Sequence, residues 1–286
     1  MSTSARPEPR SEDLARAASD NALIRVSQVG KTYSTGRGDL HALGPIDLEF
    51  QPGEFVSILG PSGCGKSTLL KLVAGLVTCT TGEITIQGAA VNGPVTELGY
   101  VFQDAVLLDW RTVIGNIMLQ AKVRNLDEGP LLERAHELLS LVGLEGFEDR
   151  HPYELSGGMK QRVSICRALV HDPELLLMDE PFGAIDALNR EQLNADLQTL
   201  WLHSRKTVLF VTHSIPEAVF LADRVVIMSA RPGLVVEEVT VDLPRPRPLA
   251  LMFGTREFDA YTQHIRETLE NAGVFTTNTE GMILDG

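Results

Sequence analysis

From residue 23 onward the chain is a series of short apolar runs bounded by glycine and proline, and the period of those runs changes twice. Residues 23–29 alternate apolar and polar, which predicts a half-buried strand, and the turn-rich stretch 30–38 reads as a loop. Residues 46–50 and 54–59 predict further strands on either side of a Gln51-Pro52-Gly53 turn. Two more strands are expected at 83–87 and 98–102. Between 104 and 170 helical spacing takes over, with Leu131, Leu132, Ala135, Leu138, Leu139 and Val142 on one stripe, so a helical subdomain is expected to interrupt an α/β core. Strand character returns at 175–178, apolar throughout as in a parallel strand covered on both faces, and at 207–212. Residues 187–202 between them predict a helix with Leu188, Leu193, Leu197 and Leu200 available for burial. Residues 224–229 and 233–243 predict a hairpin, with Arg231-Pro232-Gly233 suited to a type II turn. Past Pro244 to Pro248 an amphipathic helix near 256–269 precedes a polar tail, and no chemistry is legible there.

The candidate chemistry begins where the strand at 54–59 ends. Gly60, Pro61, Ser62, Gly63, Cys64, Gly65, Lys66, Ser67 and Thr68 fit G-x-x-x-x-G-K-[ST], followed directly by a helical run. A loop with few large side chains lets backbone N–H groups converge on phosphates, and Gly63 and Gly65 permit the wrapping. Lys66 brings a full charge to the β/γ oxygens, Ser67 offers a hydroxyl to Mg²⁺, and the helix N-terminus is itself an anion site. Lys66 and the helix N-terminus are also expected to favour a reactive Cys64 thiolate.

Further candidates stand at predicted strand ends. Asp179 and Glu180 close the apolar run 175–178, where a carboxylate pair is placed to hold Mg²⁺ and to activate water. Gln103 is either a solvated amide or a group reaching Mg²⁺ and the attacking water. His213, usually structural when alone, gains a γ-phosphate role from sharing a sheet edge with these groups. Tyr33 is open between adenine stacking and simple packing. Ser156, Gly157 and Gly158 start a second helix with exposed N–H groups; this is either a capped helix only or an anion site serving a nucleotide held by another copy, which requires a head-to-tail dimer. No clustered Cys/His spacing predicts a transition-metal site.

Composition narrows the class. With 25 Lys+Arg against 38 Asp+Glu the formal charge is −13, which argues against nucleic acid as a partner but not against a nucleotide held by local charge. Cys64, Cys79 and Cys166 lack C-x-x-C spacing and cannot all pair, which favours a reducing compartment. Residues 1–22 lack the apolar core of a secretory signal and read as a solvated tail, and no apolar run reaches the roughly 20 residues needed to span a bilayer.

Taken together, Gly60 to Ser67, Gln103, Leu155 to Gly158, residues 175–180, Asp186 and His213 resemble, in order and spacing, the ATP-binding cassette ATPases. The resemblance implies an α/β fold: a P-loop NTPase core with a mainly parallel sheet, an N-terminal antiparallel β subdomain and an inserted α-helical signature subdomain. It spans 23–242, with the helical part at about 104–170 and a C-terminal extension at 243–286. It implies an ATPase using ATP and Mg²⁺, with Tyr33 on the adenine, Glu180 as general base, Asp186 beside the nucleotide and Ser156 completing a site in a second subunit. Residues 107–116, 217–224 and 229–233 further resemble the nitrate, sulfonate, taurine and bicarbonate importer branch, although Ser214 stands where an acidic residue more often follows the histidine. That likeness implies a peripheral subunit at the cytoplasmic face of the inner membrane, bound to integral membrane permease subunits near 103–116, where Leu107 and Trp110 either supply apolar contacts for that partner or pack locally, and served indirectly by a periplasmic or lipid-anchored solute-binding protein. The rival expectations are a soluble cassette ATPase acting on nucleic acid or ribosomes, and a phosphate-loop kinase, which leaves residues 155–158 without a use.

Overall fold

The apolar residues of the central strands divide strictly by parity between two cores. The computed structural model describes residues 22–36, 38–250, 254–274, 276–277 and 283–284. The solvated tail expected at 1–22 lies outside these residues apart from Ala22, as does most of the polar C-terminal tail. One sheet has six strands: β3 (Phe55–Leu59), β6 (Gly99–Val101), β7 (Leu175–Asp179), β8 (Thr207–Thr212), β9 (Arg224–Met228) and β10 (Val235–Thr240), in the order β10-β9-β3-β8-β7-β6. All its pairings are parallel except β9 with β10. Phe55, Leu59, Leu176, Met178, Val208, Phe210, Val225 and Ile227 enter one core; Val56, Ile58, Leu175, Leu177, Leu209, Val211, Val226 and Met228 enter the other. This period of two, apolar on both sides, is what a sheet covered on both faces requires. Each such side chain contributes roughly 1.5–3 kcal/mol on burial.

The second core is closed by α1 (Lys66–Val73), through Leu69, Leu70 and Val73, and by a smaller sheet. That sheet is antiparallel, order β2-β1-β4-β5, with β1 at Ile24–Thr35, β2 at Gly38–Phe50, β4 at Thr81–Ile86 and β5 at Ala89–Ala90. Here the structure corrects the expected loop at 30–38. β1 continues through Tyr33 to Thr35, and β2 begins at Gly38 rather than near residue 46. Register shifts between Val26 and Thr32, with Gln28 at φ 49°, break the alternation and hide the strand from a periodicity reading.

Between β6 and β7 the chain is helical: α2 (Val113–Ile117), α3 (Leu119–Arg124), α4 (Glu128–Leu141), a 3-10 turn at Pro152–Glu154 and α5 (Gly157–Leu169). Ala135, Leu138, Leu139 and Val142 are buried, while Leu132, off the line of 131, 135 and 138, is 41% exposed. α6 (Ala187–Ser204) buries Leu193, Leu197 and Leu200 as expected; Leu188, in its first turn, is 80% exposed.

The expected hairpin forms, without the type II turn. Gly233 is absent from the positive-φ glycines such a turn needs at that position. What requires glycine there is a close approach instead, because a Cβ would stand 2.1 Å from the Cys64 carbonyl oxygen.

The stretch after Pro244 holds a buried cation. Arg247 is 2% exposed and donates to the carbonyls of Val219, Phe220 and Ala222 at 2.8–3.0 Å, with further bonds to Val241 and Leu243. It thereby caps α7 (Ile215–Leu221), whose last carbonyls carry the negative end of the helix dipole. Burial pulls its pKa down to about 10, so the charge persists at neutral pH. α8 (Arg256–Asn271) follows and buries Phe258, Ile265 and Leu269.

Candidate functional site

Four parallel strands deliver polar residues to one edge of the sheet. β3 ends at Leu59 and runs into the glycine loop, β7 ends at Asp179, β8 precedes His213, and β6 leads to Gln103. In a parallel sheet all C-terminal ends share one edge, so these residues converge without further folding.

The loop wraps as its sequence requires. Gly63 and Gly65 have φ 76° and 109°, values that side-chain-bearing residues rarely adopt, and Gly65 sets the start of α1. Lys66, 3% exposed, donates from Nζ to the Gly60 and Pro61 carbonyls at 2.9 and 3.0 Å, and stands 3.6 Å from Glu180 Oε1. Ser67 Oγ donates to Asp179 Oδ1 at 2.6 Å. Glu180 Oε2 meets His213 Nδ1 at 3.1 Å. A Cβ built on Gly183 would lie 3.5 Å from Gln103 Nε2 and 3.7 Å from Glu180 Oε2, so those two side chains flank one point.

Electrostatics separate the carboxylates. Burial pushes the Asp179 carboxyl up, against the Ser67 hydrogen bond that pulls it down. Glu180 is held below the ordinary carboxylate range, chiefly by its hydrogen bond to His213, and the same bond raises His213. Glu180 also sits at φ 45°, a left-handed backbone uncommon for a residue with a side chain. The resulting turn, with Glu180 N–H donating to the Val211 carbonyl, swings its carboxylate off the strand line towards His213.

Magnesium fits the donor set. Ser67 and Asp179 present a hydroxyl and a half-buried carboxylate whose charge burial disfavours, and a cation relieves that cost. Among the described residues no cluster of three His, Cys, Asp or Glu forms a protein cage. Mg²⁺ is usually held by one or two protein oxygens together with substrate phosphates, so none is needed.

The other expected residues contact different partners. Tyr33 is on β1, half-buried, with Lys31 Nζ 4.9 Å from its ring centre. Ser156 caps α5 by accepting from Met159 N–H at 3.3 Å, and a Cβ on Gly157 would meet Ile185 at 3.5 Å. Asp186 caps α6, accepting from the backbone and side chain of Asn189 at 3.1 and 2.7 Å. The expected reactive Cys64 thiolate is corrected: Cys64 is 1% exposed, and burial raises its pKa more than Lys66 lowers it. Two residues near the site escape a sequence reading. Arg231 donates to the Gly63 carbonyl, and Glu217, 5% exposed, accepts from Thr212 Oγ1 at 2.6 Å beside His213. The 168 residues between Arg231 and Gly63 leave no local pattern to find the first.

An open groove of about 1210 Å³ runs beside the edge strand β6, lined in part by Tyr100, Phe102, Val106, Arg124, Arg167 and Glu174. Trp110 is 76% exposed, so a local packing role for it does not hold, whereas Leu107 packs against the core.

Comparison with known proteins agrees with this geometry. A family model described as ABC transporter matches residues 43–183. The aliphatic sulfonates import ATP-binding protein SsuB of Bacillus cereus is 40% identical over 255 residues, 89% of this chain and 99% of its own. The taurine import ATP-binding protein TauB of Rhizobium johnstonii is 48% identical over 224 residues, 78% of this chain and 86% of its own. Among solved structures, the dimeric bacterial ABC transporter cassette MJ0796 superposes with a TM-score of 0.68 at 34% identity, covering 78% of this chain and 100% of that one; the same cassette has also been solved as a post-hydrolysis dimer bound to ADP and Pi. With its glycine loop, its paired carboxylates and relatives matched over most of their length, the chain belongs to the ABC transporter family.

Proposed function

We propose that this chain is the ATP-binding and ATP-hydrolysing subunit of an ABC importer for a small anionic solute, of the kind carried by the sulfonate and taurine systems it is similar to. The observation that carries this reading is the meeting of Lys66, the Ser67–Asp179 pair and the Glu180–His213 pair at one sheet edge.

Residues 60–68 take the phosphates, with Lys66 leaving the Gly60 and Pro61 carbonyls for the β/γ oxygens, and Tyr33 takes the adenine. Ser67, Asp179 and Gln103 hold Mg²⁺, which when bound neutralises developing phosphate charge. Glu180 orients and deprotonates the attacking water; its hold on His213 and Lys66 keeps it a weak base until the nucleotide draws those groups away. His213 then donates to the γ-phosphate. Ser156, Gly157, Gly158 and Asp186 act on the nucleotide of a second copy in a head-to-tail dimer, a reading supported by likeness to the MJ0796 cassette, which is itself dimeric. On this reading residues 23–242 form the ATPase domain, with the helical subdomain at about 104–170, and 243–286 an extension.

No helix among the described residues is long and apolar enough to cross a membrane. Likeness to the import ATP-binding proteins supports a peripheral subunit at the cytoplasmic face of the inner membrane, with a separate permease bound near residues 103–116, where Trp110 is exposed. A solute-binding protein supplies that permease from the far side. Expression of the tagged chain with its own permease tests this: co-purification in detergent, with ATPase activity that rises when loaded solute-binding protein is added, is the expected result. A chain that hydrolyses ATP but never retains the permease points instead to a soluble cassette ATPase.

A further inference from the structure

A loop that turns its N–H groups inward on phosphates turns carbonyls outward, where each pairs with a protein donor or with water. The Gly65 carbonyl has Leu69 N–H at 2.9 Å. Those of Gly60 and Pro61 have the Lys66 ammonium, and that of Pro61 also accepts from Cys64 N–H at 3.3 Å. The Gly63 carbonyl, in the middle of the loop, accepts from Arg231 Nε at 3.1 Å and from Nη2 at 2.9 Å. Of these partners Lys66 is the one that phosphate oxygens compete for. Arg231 comes from outside the loop, on the turn between β9 and β10, and does not enter that competition.

The turn itself is pinned. Gly233 donates to the Ala42 carbonyl at 3.2 Å and accepts from Gly44 N–H at 3.0 Å, which ties the hairpin to β2. Its bare backbone lies against the Cys64 carbonyl, 2.1 Å from where a Cβ would be. Ser229 Oγ accepts from Leu234 N–H at 3.1 Å and closes the turn. Arg231 is exposed, but the backbone that carries it is fixed on both sides, so less freedom is lost in forming the fork. A guanidinium is always protonated and makes charge-assisted bonds, and it adds a positive charge next to an anion site in a chain of net charge −13.

We propose that Arg231 is a positioning residue for the phosphate loop: its guanidinium holds the Gly63 carbonyl, keeping the loop's amides converged on a nucleotide's phosphates once Lys66 has left the Gly60 and Pro61 carbonyls. The inference rests on the reading of residues 60–68 as the phosphate site. It assigns Arg231 to ground-state binding of the triphosphate, with no part in the chemical step.

The test uses the full chain, with ATP as the probe in the presence of Mg²⁺, and reads Kd by calorimetry beside KM and kcat for hydrolysis. Arg231→Ala is expected to raise Kd and KM about ten-fold, the scale of one hydrogen bond to a charged group, with kcat within about two-fold of the parent. Arg231→Lys keeps the charge but not the fork, and is expected to recover part of the affinity. A Kd for Arg231→Ala within about two-fold of the parent, or a loss confined to kcat, overturns the proposal. Should Arg231→Ala fail to fold, Arg231→Lys decides alone: weaker ATP binding supports the clamp and parental binding overturns it. Lys66→Ala, run in parallel, separates the two readings, because ATP binding that survives that change defeats the phosphate-site assignment itself.

Discussion

Ser67 Oγ and Asp179 Oδ1 are joined by a 2.6 Å hydrogen bond across 112 residues of sequence. That contact sets the first turn of α1 against the end of β7, and the adjacent Glu180 faces Lys66 and His213 as a consequence. The carboxylate at 180 is thus fixed by neighbours that follow two other strands, β3 and β8, and removing its charge leaves the Ser67–Asp179 contact in place. Glu180→Gln is expected to retain ATP binding, to lose hydrolysis by roughly 10²-fold or more and to accumulate as an ATP-bound dimer. Phosphate release and size-exclusion chromatography with ATP check this; unchanged turnover removes Glu180 from the role of base.

The Glu180–His213 pair also has a pH window. Glu180 has its pKa lowered below 4.5, so its share of the pairing is complete above 4.5 and is lost as pH falls through the lowered value. His213 has its pKa raised above 6.5, so its share is complete below 6.5 and is lost as pH rises through the raised value. The imidazole of His213, followed by NMR, is expected to titrate above 6.5 in the parent chain and to move down in Glu180→Gln. A midpoint that ignores the substitution places the cause elsewhere.

The helix that Ser156 caps offers a test of the composite site. Ser156→Arg with Gly157→Val crowds the exposed N-terminus of α5. Hydrolysis is expected to fall roughly 10²-fold, the scale of losing a preorganised donor, while ATP binding to the isolated chain persists. Full turnover in that double variant removes the sandwiched dimer from the mechanism.

Arg247 makes a prediction about stability. Arg247→Met leaves the carbonyls of Val219, Phe220 and Ala222 without their guanidinium in a dry site. The expected cost is about 3 kcal/mol, seen as a melting temperature lower by roughly 6–12 °C. A variant that melts with the parent shows that α7 finds another cap.

Cysteine labelling separates burial from charge. Cys64 lies under the loop at 1% exposure with a raised pKa, whereas Cys79 is partly exposed. Iodoacetamide is expected to modify Cys79 first and Cys64 roughly ten-fold or more slowly in the native chain, as read by mass spectrometry of peptides.

What is legible in sequence follows from local chemistry. The strands at β7 and β8 announce themselves by unbroken apolar runs, β3 by one interrupted only at Ser57, and the glycine loop by residues whose expected roles are set within one short stretch. Tyr33 reads as loop because the bulge near Gln28 shifts the phase of β1, and alternation counts only while register holds. Arg247 and Arg231 escape for a related reason. Their partners are carbonyls, which every residue carries, so no side-chain pattern marks the far end of the bond. The Cys64 expectation fails because it weighs the charge of Lys66 and not the burial that opposes it.

The left-handed backbone at Glu180 sets comfort against purpose. Glycine, or asparagine, would sit there with less conformational penalty, and either would remove the proposed base. With Glu180 as the proposed base, a search for hardier variants guided by thermal denaturation alone will therefore drift towards inert proteins at this position.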